Sequence, residues 1–196
     1  MNNQETAKNS TVAQQNYDAA IAESPWLANL ADAAERVVLE NSSVRSKQGQ
    51  LTKLVDRALV ALSPHVACRR GCNFCCHIPV MIFRSEADRI AAHIGRPAAA
   101  VPMESPDRIE ARSKQFYRVP CVFLKEGECS IYEVRPLVCR QHHSLDATPE
   151  QCNVDVPEEQ SRVPSMGHLQ DVQAAFAVVS MEKESLGDIR EFFPGP

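Results

Sequence analysis

Four cysteines fall within nine positions of the chain, Cys68-Arg-Arg-Gly-Cys72-Asn-Phe-Cys75-Cys76, and four more follow at Cys121, Cys129, Cys139 and Cys152. Two or three intervening residues let successive thiolates converge on one centre, and Gly71 relieves backbone crowding in that loop. Soft sulfur selects Zn²⁺ or an iron–sulfur cluster over Mg²⁺ or Ca²⁺. Adjacent side chains tend to point apart, so Cys75 and Cys76 do not both suit one mononuclear site. The pair favours a polynuclear cluster or two separate centres. Eight thiols fill one four-ligand site with spares, or two such sites. The bland alternative, a free cysteine acting as a small buried hydrophobe, has most room at Cys152 in its Pro/Glu-rich stretch.

Charge around the thiols fits the same chemistry. Arg69, Arg70, Arg135 and Arg140 lie beside cysteines in sequence, and cations there lower thiolate pKa values and offset the charge of an anionic cluster. Histidine can replace a thiolate, which makes His77, His142 and His143 further candidates, ahead of His65, His93 and His168.

The surrounding elements must bring these groups together. The run Leu51, Leu54, Val55, Ala58, Leu59, Leu62 holds helical spacing without a miss, and Leu27, Leu30, Ala34, Val37 predict a helix over 26–39. Asn41-Ser42-Ser43 either separates two helices or lies on the wet side of one long helix. Ser63-Pro64 ends the helix before Cys68. His77–Phe83 reads as extended. Ser85-Glu-Ala-Asp88 opens a helix with Ala87, Ile90, Ala91 and Ile94 inward, ended by Gly95. Ser105-Pro106 starts another, running to about Tyr117. Residues 120–131 predict a hairpin turning at Gly127, and Arg135-Pro136 opens a short helix holding Cys139. A polar linker spans Thr148 to Pro164, with Glu158-Glu159 as solvated charge. The last helix faces inward with Leu169, Val172, Phe176 and Val179 and fades near Gly187.

The expected fold is therefore mainly α with a small β-hairpin, and an irregular cysteine-rich centre packed among helices. Residues 1–24 are expected as a disordered leader, 25–190 as a single metal-binding domain with its cysteine core at about 66–145, and 191–196 as a tail. The 196 residues suffice for one cored domain. Aromatics make only 6% of them, so the core is mostly aliphatic. A net charge of −4, 21 basic against 25 acidic residues, gives no general attraction to nucleic acid or anionic membrane. The first 25 residues lack an apolar signal segment, and no stretch approaches the length of a membrane span. A cytoplasmic, reducing location follows as an expectation, in which clustered cysteines point to metal or redox chemistry rather than disulfides.

The Cys68–Cys76 run, together with Pro120-Cys121-Val-Phe-Leu and Cys129-Ser-Ile-Tyr132-Glu-Val-Arg135-Pro136-Leu-Val-Cys139-Arg140, resembles the YkgJ family of cysteine-cluster proteins. That family is described as a zinc- or iron-chelating domain, and its cysteine motif is also found in the flagellin lysine N-methylases. The resemblance covers about residues 66–145. It implies metal binding through Cys68, Cys72, Cys75, Cys76, Cys121, Cys129 and Cys139. His142-His143 and Cys152 lie outside the matched part. Cys152 remains a metal-ligand candidate from its place in the series of eight.

Other chemistries find less support. Cys68-x3-Cys72-x2-Cys75 has the cluster spacing of the radical S-adenosylmethionine superfamily, but the chain after it shows no strand–helix alternation for a partial barrel. No glycine-rich loop after a strand offers a methyl-donor site, and no G-x-S-x-G, H-E-x-x-H or P-loop is present. The expected function is a cytosolic metal-binding protein holding iron, as an Fe–S cluster, with a redox, metal-handling or sensing role and no stand-alone catalysis. Zinc in a structural domain is the alternative, as is an accessory domain like that of the flagellin methylases. A metal ion or cluster is the expected partner, with a protein partner left open and no nucleic acid or membrane expected.

Overall fold

The helical stripe at Leu51, Val55, Ala58 and Leu62 is carried by a 19-residue helix in the computed structural model, which describes residues 3–156, 164–165 and 169–195. This helix, α3 (Val44–Leu62), follows α1 (Asn3–Glu23) and α2 (Leu30–Leu39). The chain then runs through β1 (Met81–Phe83), α4 (Arg84–Ile94), α5 (Pro106–Ser113), β2 (Leu124–Lys125), β3 (Glu128–Cys129) and α6 (Leu137–Gln141). It closes with α7 (Gln170–Ser180), β4 (Leu186–Asp188) and α8 (Ile189–Phe192). The mainly α architecture with a small hairpin matches the expectation.

Asn41-Ser42-Ser43 separates two helices: the Ser43 hydroxyl caps α3 by accepting from the Ser46 N–H at 3.2 Å. The helix expected over 26–39 is split, because Pro25 starts a tight 3₁₀ turn over Pro25–Asn29 and α2 begins only at Leu30. Helix α4 starts one residue before Ser85. Its first turn is closed by Glu86, whose carboxylate accepts the Phe83 N–H at 3.1 Å. The hairpin pairs Leu124 with Cys129, and Glu126 and Gly127 take φ of 51° and 82° at its turn. Those left-handed angles cost a glycine nothing.

Two elements depart from the sequence reading. Within the stretch expected as a disordered leader, Asn3–Glu23 form the helix α1, where Ala13 and Ala20 are buried and Ala20 joins the core of α2, α3 and α7. The stretch around Gly187, where the last helix was expected to fade, is instead strand β4, paired antiparallel to β1 with Gly187 opposite Ile82. A pairing of two three-residue strands far apart in sequence leaves no local periodicity to read. Glu158-Glu159, His168 and the linker over 157–163 lie outside the described residues.

Two hydrophobic clusters meet at the β1–β4 ribbon. The first joins α2, α3 and α7 through Leu30, Leu51, Val55, Val172 and Phe176. The second gathers Ile82, Ile90, Phe123, Ile131, Ile189, Phe192 and Phe193. Successive strand residues face opposite ways, so Ile82 enters the second cluster while Phe83 enters the first. Phe83 meets Phe176 at 5.9 Å between ring centres, and Phe123 meets Phe193 edge-on at 5.2 Å. Cys121, Cys129 and Cys139 pack against the second cluster, which thereby sets the floor under the thiols. Among the described residues no helix is long and apolar enough to cross a membrane.

Phe192 and Phe193 are both fully buried although only three residues follow. Removing the Phe192 ring should open a cavity in the second cluster, and Phe192→Ala is expected to cost about 3–5 kcal/mol in urea unfolding. A loss below about 1 kcal/mol would show that the C-terminal turn is not part of this core.

Candidate metal centre

The Cys68–Cys76 run cannot form a regular helix across its Gly71, which takes φ of 86°, so it makes a turn followed by a short 3₁₀ segment, Phe74–His77. Backbone bonds Cys72 N–H to Arg69 O (3.0 Å) and Cys76 N–H to Asn73 O (2.9 Å) shape this loop. Three contacts bring the distant cysteines to it. Cys121 N–H donates to the Cys76 carbonyl at 2.7 Å. The Asn73 side-chain amide donates to Gly127 O at 3.2 Å and holds the hairpin that carries Cys129. Glu86, buried, accepts the Leu137 N–H at 2.8 Å and anchors the first turn of α6, on which Cys139 sits.

The result is a cavity of about 530 Å³ whose wall includes Cys72, Cys75, Cys76, Cys121, Cys129 and Cys139. Cys68 and Cys152 lie outside that wall but close by. The Cys68 sulfur accepts the Ser144 N–H at 3.5 Å, and the 3₁₀ turn Pro149–Cys152 packs on Phe74–His77. All eight thiols are half-buried and none is in a disulfide. Among the described residues, no three His, Cys, Asp or Glu side chains stand ready as a ligand group for one ion.

Burial and mutual repulsion set the electrostatics of the thiols. Burial pushes Cys121 up to about 11, with further upward pressure from Cys76 and Cys129. Burial raises Cys139 well above the ordinary thiol value, reinforced by Cys121, Cys76 and Cys129. Cys129 and Cys68 are raised by burial too, and Cys152 is pushed up to about 12. Cys75 is raised by its hydrogen bond to Cys76 and then by burial. Cys76 alone goes down, to about 7, because Cys75 donates to its thiolate and Arg190 lies near. A bound cation reverses this pattern, since metal coordination deprotonates thiols outright. The donor set therefore fits a thiophilic metal: soft ligands, mutual repulsion and a space between them.

Arg190 was not legible as part of this site, since it lies 114 residues from Cys76 at the last position of the expected domain. It is buried, pairs with Asp188 at 2.9 Å, and donates to the carbonyls of Cys76 (3.3 Å), Ile78 (3.3 Å), Pro120 (3.2 Å) and Val119. Asp188 in turn accepts the Val80 N–H at 2.7 Å. One side chain thus clamps both the Cys76 and the Cys121 strands of chain. Among the arginines expected beside the thiols, Arg135 acts as foreseen, lowering Cys68 and Cys129 against their burial. Arg140 is committed elsewhere, to Asp56 and to the carbonyls of Arg135 (2.8 Å) and Glu133 (2.7 Å). Arg69 and Arg70 are exposed, and Arg70 pairs with Glu128 at 2.8 Å.

None of His77, His142 and His143 lines the cavity. His77 faces Asn73 O at 3.3 Å, and burial lowers His142. His143 is only 4% exposed, neither ring nitrogen makes a well-formed hydrogen bond, and burial drives it down to about 4. His65 pairs with Glu23 at 3.1 Å, and His93 is exposed.

Two outcomes follow. Arg190→Met leaves Asp188 buried and unpaired, so it should cost about 3–5 kcal/mol in urea unfolding. Arg70→Met, at an exposed and screened pair, should leave the midpoint nearly where it was. Equal midpoints for the two variants would refute the clamp. For His143 the folded state resists the proton that the unfolded chain accepts at its ordinary 6.5. The unfolded state therefore binds more protons between pH 6.5 and about 4, so stability is full above that window and falls as pH drops through it. The loss is on the order of 3 kcal/mol. His143→Gln should flatten that part of the stability–pH curve, and an unchanged slope would remove His143 as its cause.

Comparison with known families agrees with the chemistry of this donor set. Neither the curated proteins nor the solved structures give a match to the chain. Residues 67–153, a span that contains all eight cysteines, match the family model CxxCxxCC, described as "Putative zinc- or iron-chelating domain". The chain's own motif has one more residue in its first interval, Cys68-x3-Cys72-x2-Cys75-Cys76. The match supports metal binding through the cysteines.

Proposed function

We propose that the protein binds iron as a thiolate-held Fe–S cluster in the cavity between the Cys68–Cys76 loop, the hairpin and α6, and serves in redox chemistry, metal handling or sensing. The observation that carries this reading is the cavity itself, with six cysteines around a space of about 530 Å³. Thiols that surround a volume suit a polynuclear cluster. A single zinc ion, with Zn–S bonds of about 2.3 Å, calls for four sulfurs drawn to a point. Cys76, Cys121, Cys129 and Cys139 are the four that would hold the cluster, each repelling the other three as thiolates. When bound, the cluster supplies a one-electron redox couple, tuned by charge, hydrogen bonds and exposure.

The chain's own residues then have defined tasks. Arg190 places positive charge by Cys76 and holds the backbone of both ligand strands. Arg135 places positive charge by Cys129 while stacking over Tyr132 at 4.0 Å, at the cavity mouth that both residues line. The second cluster of apolar side chains excludes water from beneath. Reduced thiols are required throughout, which favours a cytoplasmic location. Zinc held by the same thiols is the second reading, favoured by the family description that names both metals.

Anaerobic purification with metal analysis and a visible spectrum separates the two. Iron with inorganic sulfide, and broad visible absorbance that bleaches on reduction, is the expected result. Colourless protein with stoichiometric zinc replaces the iron reading with the zinc one. Protein without either metal, handled anaerobically, overturns both.

A further inference from the structure

The cavity is lined by more than thiols. Val80, Ile131, Pro136 and Ile189 are buried and give it an apolar wall, while Arg69, Arg70 and Tyr132 stand exposed at its mouth. Its volume of about 530 Å³ lies in the range of sites for small organic ligands, which are mostly apolar with a few convergent polar groups. Its lining carries three arginines against two glutamates, on a chain whose net charge is −4. One of those arginines, Arg70, is spent on Glu128 at 2.8 Å.

The hydrogen-bond donors of Arg135 are unspent. Pro136 follows it and keeps it extended, at φ −53° and ψ 144°. Arg140 donates to the carbonyls of Arg135 (2.8 Å) and Glu133 (2.7 Å) and pairs with Asp56 of α3, so the turn Tyr132–Val134 and Arg135 are held from behind. The guanidinium presented in this way lies over the Tyr132 ring at 4.0 Å and borders the cavity. It is half-buried, and among the described residues no carbonyl, carboxylate or thiol accepts a hydrogen bond from it. Its Nε is buried outright, and a buried donor without an acceptor is costly. Stacking on an aromatic face fixes the plane of the guanidinium fork, and that fork matches the paired oxygens of a carboxylate or phosphate.

We propose that the mouth of the cavity binds a small organic anion, with its carboxylate or phosphate head on Arg135 and its apolar body along Tyr132, Ile131 and Pro136. The site goes beyond the metal reading: Arg135 and the lining of the mouth carry it, and it stands whichever metal the thiols hold. An organic molecule suits the cavity better than an inorganic ion, because the apolar wall gains from being covered. Arg69, exposed at the same mouth, draws anions toward it without fixing their orientation. The metal and the organic anion then share one chamber, the thiols on its inner side and Arg135 at its entrance.

The test uses the full chain, purified anaerobically with its metals, and follows phenylglyoxal modification of its arginines peptide by peptide. The probes are benzoate and phenyl phosphate, with acetate and inorganic phosphate as the same heads without an apolar body. Arg45, exposed at the start of α3, reports non-specific effects. The expected result is that at least one aromatic probe slows modification of Arg135 and leaves Arg45 unchanged. It should do so at a concentration about tenfold below that of its non-aromatic counterpart. Failure of both aromatic probes to protect Arg135 overturns the site, and so does equal protection by acetate or inorganic phosphate. An Arg135 that the reagent never reaches overturns it too, since a ligand must enter by the same mouth. In calorimetry, Tyr132→Ala removes an exposed ring and should weaken binding of the protecting probe about tenfold. Unchanged affinity in that variant overturns the placement on Tyr132. Metal content, measured on the same sample, keeps the two readings apart. Protection of Arg135 in metal-free protein refutes the metal centre and retains the anion site, and metal-loaded protein without protection does the reverse.

Discussion

Arg190 is the interaction on which the site's geometry turns. A buried guanidinium is costly unless its charge is matched and its donors are taken up. Here Asp188 matches the charge, and the carbonyls of Cys76, Ile78, Val119 and Pro120 take the remaining donors. Those carbonyls belong to two segments outside any α-helix or strand ladder, and that of Cys76 accepts the Cys121 N–H as well. The ion pair therefore does for these loops what a strand ladder does elsewhere: it fixes the backbone that carries Cys76 and Cys121. It also depends on β4, because Asp188 is presented by the strand that pairs with β1.

The apolar framework and the thiol centre share this dependence. The β1–β4 ribbon separates two clusters, one made of helices and one made of the hairpin, α4 and α8. The second cluster supports Cys121, Cys129 and Cys139 from below, while Glu86 and Asn73 set α6 and the hairpin against the motif loop. Burial then raises most of the thiols, and their mutual repulsion raises them further. Such a site is electrostatically incomplete without a cation, which is the physical sense in which the fold and the metal are linked.

Much of this was readable in advance, and the rest was not, for identifiable reasons. Helix α3 and the inward face of α7 follow from apolar periodicity, the hairpin from Gly127 between short β-prone runs, and the start of α5 from Ser105-Pro106. The family-level chemistry follows from the thiol spacing. Arg190 and Asp188 gave no signal, because a buried ion pair near the end of a chain looks like any solvated pair of charges. The β1–β4 pairing left none either, being three residues long and joined across about a hundred residues of chain. Arg140 beside Cys139 suggested a cation for the thiols, yet Asp56 and two loop carbonyls claim it.

Residue type and short-range spacing determined what this chain offers chemically: clustered soft ligands suited to a thiophilic metal. Those properties are local, so the linear order of residues carries them. Which thiols stand together was decided only by tertiary structure. Cys72, Cys75, Cys76, Cys121, Cys129 and Cys139 surround one cavity while Cys68 and Cys152 lie outside its wall, because hydrogen bonds and packing between segments far apart in sequence place them there. Thiol placement is a property of where the backbone is held, and here the holding is done by Arg190, Glu86, Asn73 and Ser144.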